Sequence, residues 1–289
     1  MEKRNAAIIA VLGGLAIFMI KIVAYILSDS VALLSDALES IVNIAASLLM
    51  FYSVYISGKP ADEKHKYGHQ KVENISSLVE GFLILVAAIF IIHTALERIF
   101  KPVILKEIDL ALIVSLAATA LNGLLSVFLG RIATERGSMA LEGDSKHLMS
   151  DVITSLGVAG GLWIGKEIGW SYMDPLMALL VSVLIVRMGL KLVLKSAQGL
   201  MDDSAPKAEE KIKAILERHS SRYVDFHDLK TRRSGDQVFA ELHLSVDAAM
   251  TVEEAHDFTD HLEEDLRNEL SEVKITIHVE PSENAEVAQ

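Results

Sequence analysis

Residues 147–151 read HLMSD, and residues 36–43 read DALESIVN. His147 and Asp151 stand four apart, with Asp144 three residues before His147. Asp36, Glu39 and Asn43 fall at offsets of three and seven. On a helix each set shares one face. Imidazole nitrogen, carboxylate and amide oxygen are metal ligands. Glu39, Asn43, His147 and Asp151 together match the ligand count of a tetrahedral divalent cation. The imidazole argues against Mg²⁺ and Ca²⁺ and fits Zn²⁺, Fe²⁺, Mn²⁺ or Co²⁺. A single polar residue of this kind is as readily an interhelical hydrogen bond. Two stripes at matching spacing ask for more.

Other histidines and acids repeat the chemistry. PADEKHKYGHQKVE (60–73) spaces Asp62, His65 and His69 three and four apart, although a solvated basic loop fits the same pattern. In VKITIHVE (273–280), His278 and Glu280 alternate with Val273, Ile275, Ile277 and Val279, so a strand shows the two polar groups on one face. His243 takes the polar face of QVFAELHLSVD beside Glu241, and His256 lies on an acidic helix. Neighbouring strands would bring His243, His278 and Glu280 together. Cysteine is absent, which excludes disulfides and thiolate ligands. GGLWIGK (160–166) has the spacing of a phosphate-binding loop, but Glu167 stands where a Ser or Thr is required, so ATP is not expected. The sequon at Asn74 lies on the predicted cytoplasmic side, and His93 reads as interfacial. Lys21 and Arg187 sit inside apolar segments, where a cation either snorkels or pairs.

The elements that must position these groups are membrane helices. Half of the 289 residues (51%) are hydrophobic, and the mean hydropathy is +0.37. Six apolar runs of bilayer-spanning length occur at about 6–27, 31–57, 76–97, 108–130, 147–168 and 174–196. The first is too long for a cleaved signal, so none is expected. Lys and Arg concentrate in 1–5, 58–75, 131–146 and the region after 190, which predicts both termini on the cytoplasmic side of a cell membrane. Residues 1–201 carry 17 basic and 17 acidic side chains, whereas 202–289 carry 10 and 22, the whole of the net charge of −12. Such an acidic region is a poor partner for nucleic acid and a good collector of cations. MDDSAP (201–206) marks the boundary. Beyond it a helix (207–219), two strands, a helix (252–270) and a last strand predict a small α+β domain of order αββαβ, with 283–289 as a tail. The expected division is a transmembrane domain over 1–201 and a cytoplasmic domain over 202–282.

Six helices, the paired stripes, HxxxD at 147–151, DxxHxxGHxKxE at 62–73 and HDLKTRRSG at 227–235 together resemble the cation diffusion facilitator family, in particular its bacterial zinc and ferrous-iron efflux type. The resemblance covers about residues 6–282. It implies a homodimeric antiporter that exports a divalent cation against protons, with no enzyme activity. Zn²⁺ is favoured as substrate, ahead of Fe²⁺, Mn²⁺, Co²⁺ and Cd²⁺. It implies a transport site of Glu39, Asn43, His147 and Asp151, with Asp36 and Asp144 as supporting or alternative ligands. It further implies a loop site of Asp62, His65 and His69, and a cytoplasmic-domain site of His227, His243, His256, His278 and Glu280. Lys71 and Asp202 match a charged pair that ties the membrane and cytoplasmic domains. Two positions depart from the family's pattern. Glu39 and Asn43 stand where His or Asp and then Asp are usual, and Glu280 replaces Asp. A membrane-anchored metal sensor or chaperone is the competing expectation, and it would need no ligands at membrane depth.

Overall fold

Six long helices follow the apolar runs: α1 (Lys3–Ser28), α2 (Val31–Ser57), α3 (Lys71–Phe100), α4 (Ile108–Arg136), α5 (Met139–Glu167) and α6 (Met173–Leu200). The structure is a computed structural model that describes residues 3–136, 139–235, 237–270 and 273–282. Side-chain placement is given for 9–132, 134, 145–235, 237–270 and 273–282. The expected tail at 283–289 lies outside the described residues, as does the side chain of Asp144 on α5. All six helices contain spans long and apolar enough to cross a membrane. Several run past their apolar stretch. α3 starts at Lys71 rather than near residue 76, because a helix satisfies its own backbone polar groups whether lipid or water surrounds it.

By internal packing the chain divides into two compact units. One comprises the residues up to Tyr52 together with Ser76–Leu194, and the other Ser53–Ile75 together with the residues from Lys195 onward. In the first, Ile84 and Ile91 of α3, Val158 and Leu162 of α5 and Val181 and Ile185 of α6 fill a shared core. A second cluster joins Ile17 of α1 to Leu125 and Leu129 of α4. The outward faces are equally apolar: Ile89 is 66% and Leu124 69% exposed. A surface of that kind suits lipid and not water.

The start of α2, the helix that bears Asp36, Glu39 and Asn43, is held by polar groups. Asp174 of α6 accepts hydrogen bonds from Ser30 Oγ (2.5 Å) and from the backbone N–H groups of Val31 (3.1 Å) and Ala32 (3.0 Å). A carboxylate there satisfies orphan donors and meets the positive end of the helix. On the far side of the turn, Asp29 adopts a left-handed φ of 57° and pairs with Arg98 at 2.7 Å.

The second unit contains α7 (Pro206–Arg218), β1 (Asp225–Ser234), β2 (Gln237–Val246), α8 (Val252–Glu269) and β3 (Val273–Pro281). The sheet order is β1-β2-β3, antiparallel then parallel. The β2–α8–β3 crossover makes the parallel pair. Leu242 and Leu244 of β2 pack with Ile212 and Leu216 of α7 and Phe258 and Leu262 of α8, so both helices cover one sheet face. Thr251 and Glu254 form a reciprocal capping box that starts α8.

Candidate metal centres

Between α2 and α5 the two polar stripes meet. Asn43 Nδ2 donates to Asp151 Oδ2 at 3.2 Å, and His147 Nε2 lies 4.0 Å from Asp151 Oδ1. Asp151 is buried at 3% exposure, whereas His147, Glu39 and Asn43 are half-buried. Two N/O ligands of one tetrahedral ion stand about 3.4 Å apart, from bond lengths near 2.1 Å. The His147–Asp151 separation is thus close to that of a shared cation. Donation through Nδ2 leaves the Asn43 carbonyl oxygen free to coordinate. Glu39 lines a small cavity with Asn43, Ile84, Ile185 and Met188, and its carboxylate interacts electrostatically with Asp151 and Asp36.

One turn along, Asp36 is engaged elsewhere. Lys21 Nζ lies 2.8 Å and Ser155 Oγ 2.7 Å from Asp36 Oδ1, with Lys21 2% and Asp36 4% exposed. Lys21, left without an assignment by the sequence, is thus the counter-ion of Asp36. The charge tally of the region follows. Three carboxylates face one ammonium, which pairs with Asp36, so among the described residues Glu39 and Asp151 have no Lys or Arg at ion-pair distance. Glu80 of α3, which sequence reasoning passed over, carries a further carboxylate within electrostatic reach of His147. Its isolation in an apolar run was the available signal.

Asp62, His65 and His69 come together in the loop before α3. Asp62 Oδ1 accepts from the backbone N–H of His65 (2.6 Å) and of Lys64 (2.9 Å) and lies 3.1 Å from His65 Nδ1. His69 Nε2 is 3.3 Å from Asp62 Oδ2, and the two imidazole centroids are 4.5 Å apart. Gly68, at φ +88°, makes the tight turn that folds His69 back onto His65, a backbone state that other residues resist. The His65 backbone donor, joined by that of Lys64, holds the Asp62 carboxyl below the usual range, so it is ionised at neutral pH.

A transverse row of imidazoles crosses the helix-free sheet face. His227 of β1 pairs in register with His243 of β2, and His243 with His278 of β3. Their ring centroids are 5.2 and 4.8 Å apart. Glu280 closes the group, 3.2 Å from His227 Nε2 and 3.6 Å from His243 Nδ1. One donor atom each from His227, His243 and Glu280 lies within 4.8 Å of the others. His256, carried over by resemblance to the same site, stands instead on α8, 3.6 Å from Asp260. A bulge between His227 and Lys230 puts Asp228 at φ 52° and points its carboxylate towards His243 (4.0 Å). Bulges commonly re-aim a side chain in this way. Lys230 holds the Asp228 carboxyl below its usual range. Nothing in the sequence distinguished Asp228 from an ordinary strand residue.

Lys71 Nζ lies 2.9 Å and Arg232 Nη1 3.3 Å from Asp202 Oδ1. The Lys71 hydrogen bond, backed by Arg232, keeps the Asp202 carboxyl below its ordinary 3.8. An acid held low in the folded state contributes stability that is present at neutral pH and above. That contribution is lost as pH falls from 3.8 towards the folded value. In Lys71→Ala the Asp202 carboxyl is expected to titrate at higher pH, measured by carboxyl-carbon NMR. An unmoved midpoint would leave Arg232 as the effective partner.

Comparison with known proteins agrees with this architecture. Residues 7–201 match the cation efflux transmembrane domain, and residues 205–282 match the cation efflux protein cytoplasmic domain. The chain is 37% identical to the transporter sll1263 of Synechocystis sp., over 97% of its own length and 91% of the relative's. It is 32% identical to the cation-efflux pump FieF of Pectobacterium atrosepticum, over 96% and 92%. Among solved structures, CzrB in its Zn form shares 43% identity over 28% of this chain and 93% of that one, with a TM-score of 0.27. With both domains matched and six spanning helices in place, the chain belongs to the cation diffusion facilitator family, and is a multi-pass membrane cation-efflux transporter rather than an enzyme.

Proposed function

We propose that the protein exports a divalent transition-metal cation, Zn²⁺ foremost, from the cytoplasm in exchange for protons. The observation that carries this reading is the pair of carboxylates, Glu39 and Asp151, which among the described residues have no Lys or Arg partner and which stand with His147 and Asn43 on membrane-spanning helices. Uncompensated carboxylates in an apolar span are costly. Two negative charges are balanced equally by one M²⁺ or by two protons. Metal binding requires the imidazole nitrogen free and the carboxylates ionised, so protons compete for the same atoms. With Asp36 already paired to Lys21, the proposed ligands are Glu39, Asn43, His147 and Asp151. Alternating access of this one site to the two faces then couples the fluxes.

Residues 1–201 carry transport in this reading, and both termini face the cytoplasm. Residues 202–282 dimerise and bind metal on the His227–His243–His278–Glu280 face, and Asp62, His65 and His69 form a further cytoplasmic site. The test is flux in proteoliposomes with an imposed pH gradient, offering Zn²⁺, Fe²⁺, Mn²⁺, Co²⁺ and Cd²⁺ in turn. Gradient-dependent flux led by Zn²⁺ is expected. Flux that ignores the proton gradient would overturn the antiport, and a different leading ion would overturn the choice of metal.

A further inference from the structure

A fourth group of ligands sits on the helix side of the cytoplasmic unit and shares no residue with the imidazole row on the sheet. His219 ends α7, its backbone N–H closing on Leu216 O at 2.9 Å. His261 and Asp265 stand one turn apart on α8, and side chains four residues apart on a helix are neighbours. His219 Nε2 lies 2.8 Å from Asp265 Oδ2. The His219 and His261 rings meet nearly at right angles (89°), with centroids 5.1 Å apart. One donor atom from each of the three residues lies within 4.8 Å of the other two.

From these contacts we infer that His219, His261 and Asp265 form a binding site for a divalent transition metal that clips the C-terminal end of α7 to α8. Two imidazoles and one carboxylate are the ligand set of a borderline ion such as Zn²⁺, Co²⁺ or Ni²⁺, and a poor one for Mg²⁺ or Ca²⁺. Three protein ligands leave the fourth tetrahedral position to water. The donors must draw in to about 3.4 Å from one another to share an ion. His261 is exposed and turns without disturbing the core.

The surroundings prepare the group. His219 is mostly enclosed, and its ring packs edge-on to the buried Phe258 at 6.4 Å, which fixes the direction in which Nε2 points. The neighbouring cation Arg218 is engaged by Glu269 Oε1 at 3.2 Å. The Asp265 carboxylate already faces His219 Nε2 across the gap between the two helices. An ionised carboxylate facing an imidazole nitrogen is what a cation needs on arrival. The consequence is a metal-dependent link between the two helices that cover the sheet, independent of the transport site.

The test counts metal on the full-length protein in detergent. Zn²⁺ retained after equilibrium dialysis is measured by mass spectrometry for wild type, His261→Ala and Asp265→Asn. Both substitutions leave the buried positions of α8 intact, and the metal-free unfolding temperature of His261→Ala is expected to equal that of wild type. Each variant is expected to lose one equivalent of Zn²⁺ per chain. Each should also lose part of the Zn²⁺-induced rise in unfolding temperature. A His243→Ala/His278→Ala background should lose its own metal and still show the further one-equivalent drop when His261→Ala is added. Equal stoichiometry in wild type and His261→Ala would overturn the site. So would a loss confined to Asp265→Asn, which would remove His261 from the ligands.

Discussion

Asp151→Ala is expected to reduce proton-gradient-driven Zn²⁺ flux by about 100-fold or more at equal protein incorporation. Removing one carboxylate leaves Glu39 alone opposite a divalent ion, and it deprives the Asn43 amide of the acceptor that orients it. Losing one member of a buried charge pairing costs about 3 kcal/mol. At 1.4 kcal/mol per decade that is roughly a factor of 100 in occupancy. His147→Ala should also lose flux, because it removes the imidazole ligand that stands beside Asp151. Wild-type flux in Asp151→Ala would remove the α2–α5 site from the mechanism. Asn43→Asp is the informative companion. It adds the negative charge that the family's more usual helix carries, so it should bind M²⁺ more tightly and release it more slowly.

Lys21→Met is expected to be the most destabilising single substitution in the membrane unit. It strands Asp36 at 4% exposure with Ser155 as its remaining hydrogen-bond donor. Breaking a buried ion pair from one side costs about 3–5 kcal/mol. That is on the order of a 10 °C drop in unfolding midpoint for a unit of this size. The measurement belongs in chelator, so that no added metal can neutralise the freed carboxylate. Adding Asp36→Asn to Lys21→Met should recover most of the loss, because the uncompensated charge and not the missing amine is the cost. Equal midpoints for the single and double variants would contradict that account. Asp36→Asn alone strands the ammonium and should also destabilise.

Much of this molecule is legible in its residues, for identifiable reasons. The thickness of a bilayer demands about 20 apolar residues per span, and no other constraint on a chain is so uniform. Six runs therefore mark six helices. Their polar ends were less visible: α3 gains a turn before Ser76 because backbone hydrogen bonding does not stop where lipid does. Alternation on β2 and β3 placed His243 and His278 on the polar face, and the observed pairing sets them side by side. It could not show the bulge at Asp228, since a left-handed aspartate depends on how β1 registers with β2. The helix-side group of His219, His261 and Asp265 was likewise hidden. His219 stands 46 residues before Asp265, and only the packing of α7 on α8 brings it to the His261–Asp265 pair.

What the sequence by itself determined is periodic and local. It specified which segments are apolar enough to span a membrane, which face of each helix or strand carries ligands, and that only nitrogen and oxygen donors are available. What the tertiary structure decided is pairing. It assigned Asp36 to Lys21 and Ser155, left Glu39 and Asp151 with no Lys or Arg partner among the described residues, and put Asn43 against Asp151. The reason is physical. Periodicity depends on bond geometry repeated along one chain segment, whereas the partner of a buried charge depends on which other helix packs against it. In a medium that cannot solvate an unpaired charge, that choice of partner decides which carboxylates remain for a metal ion.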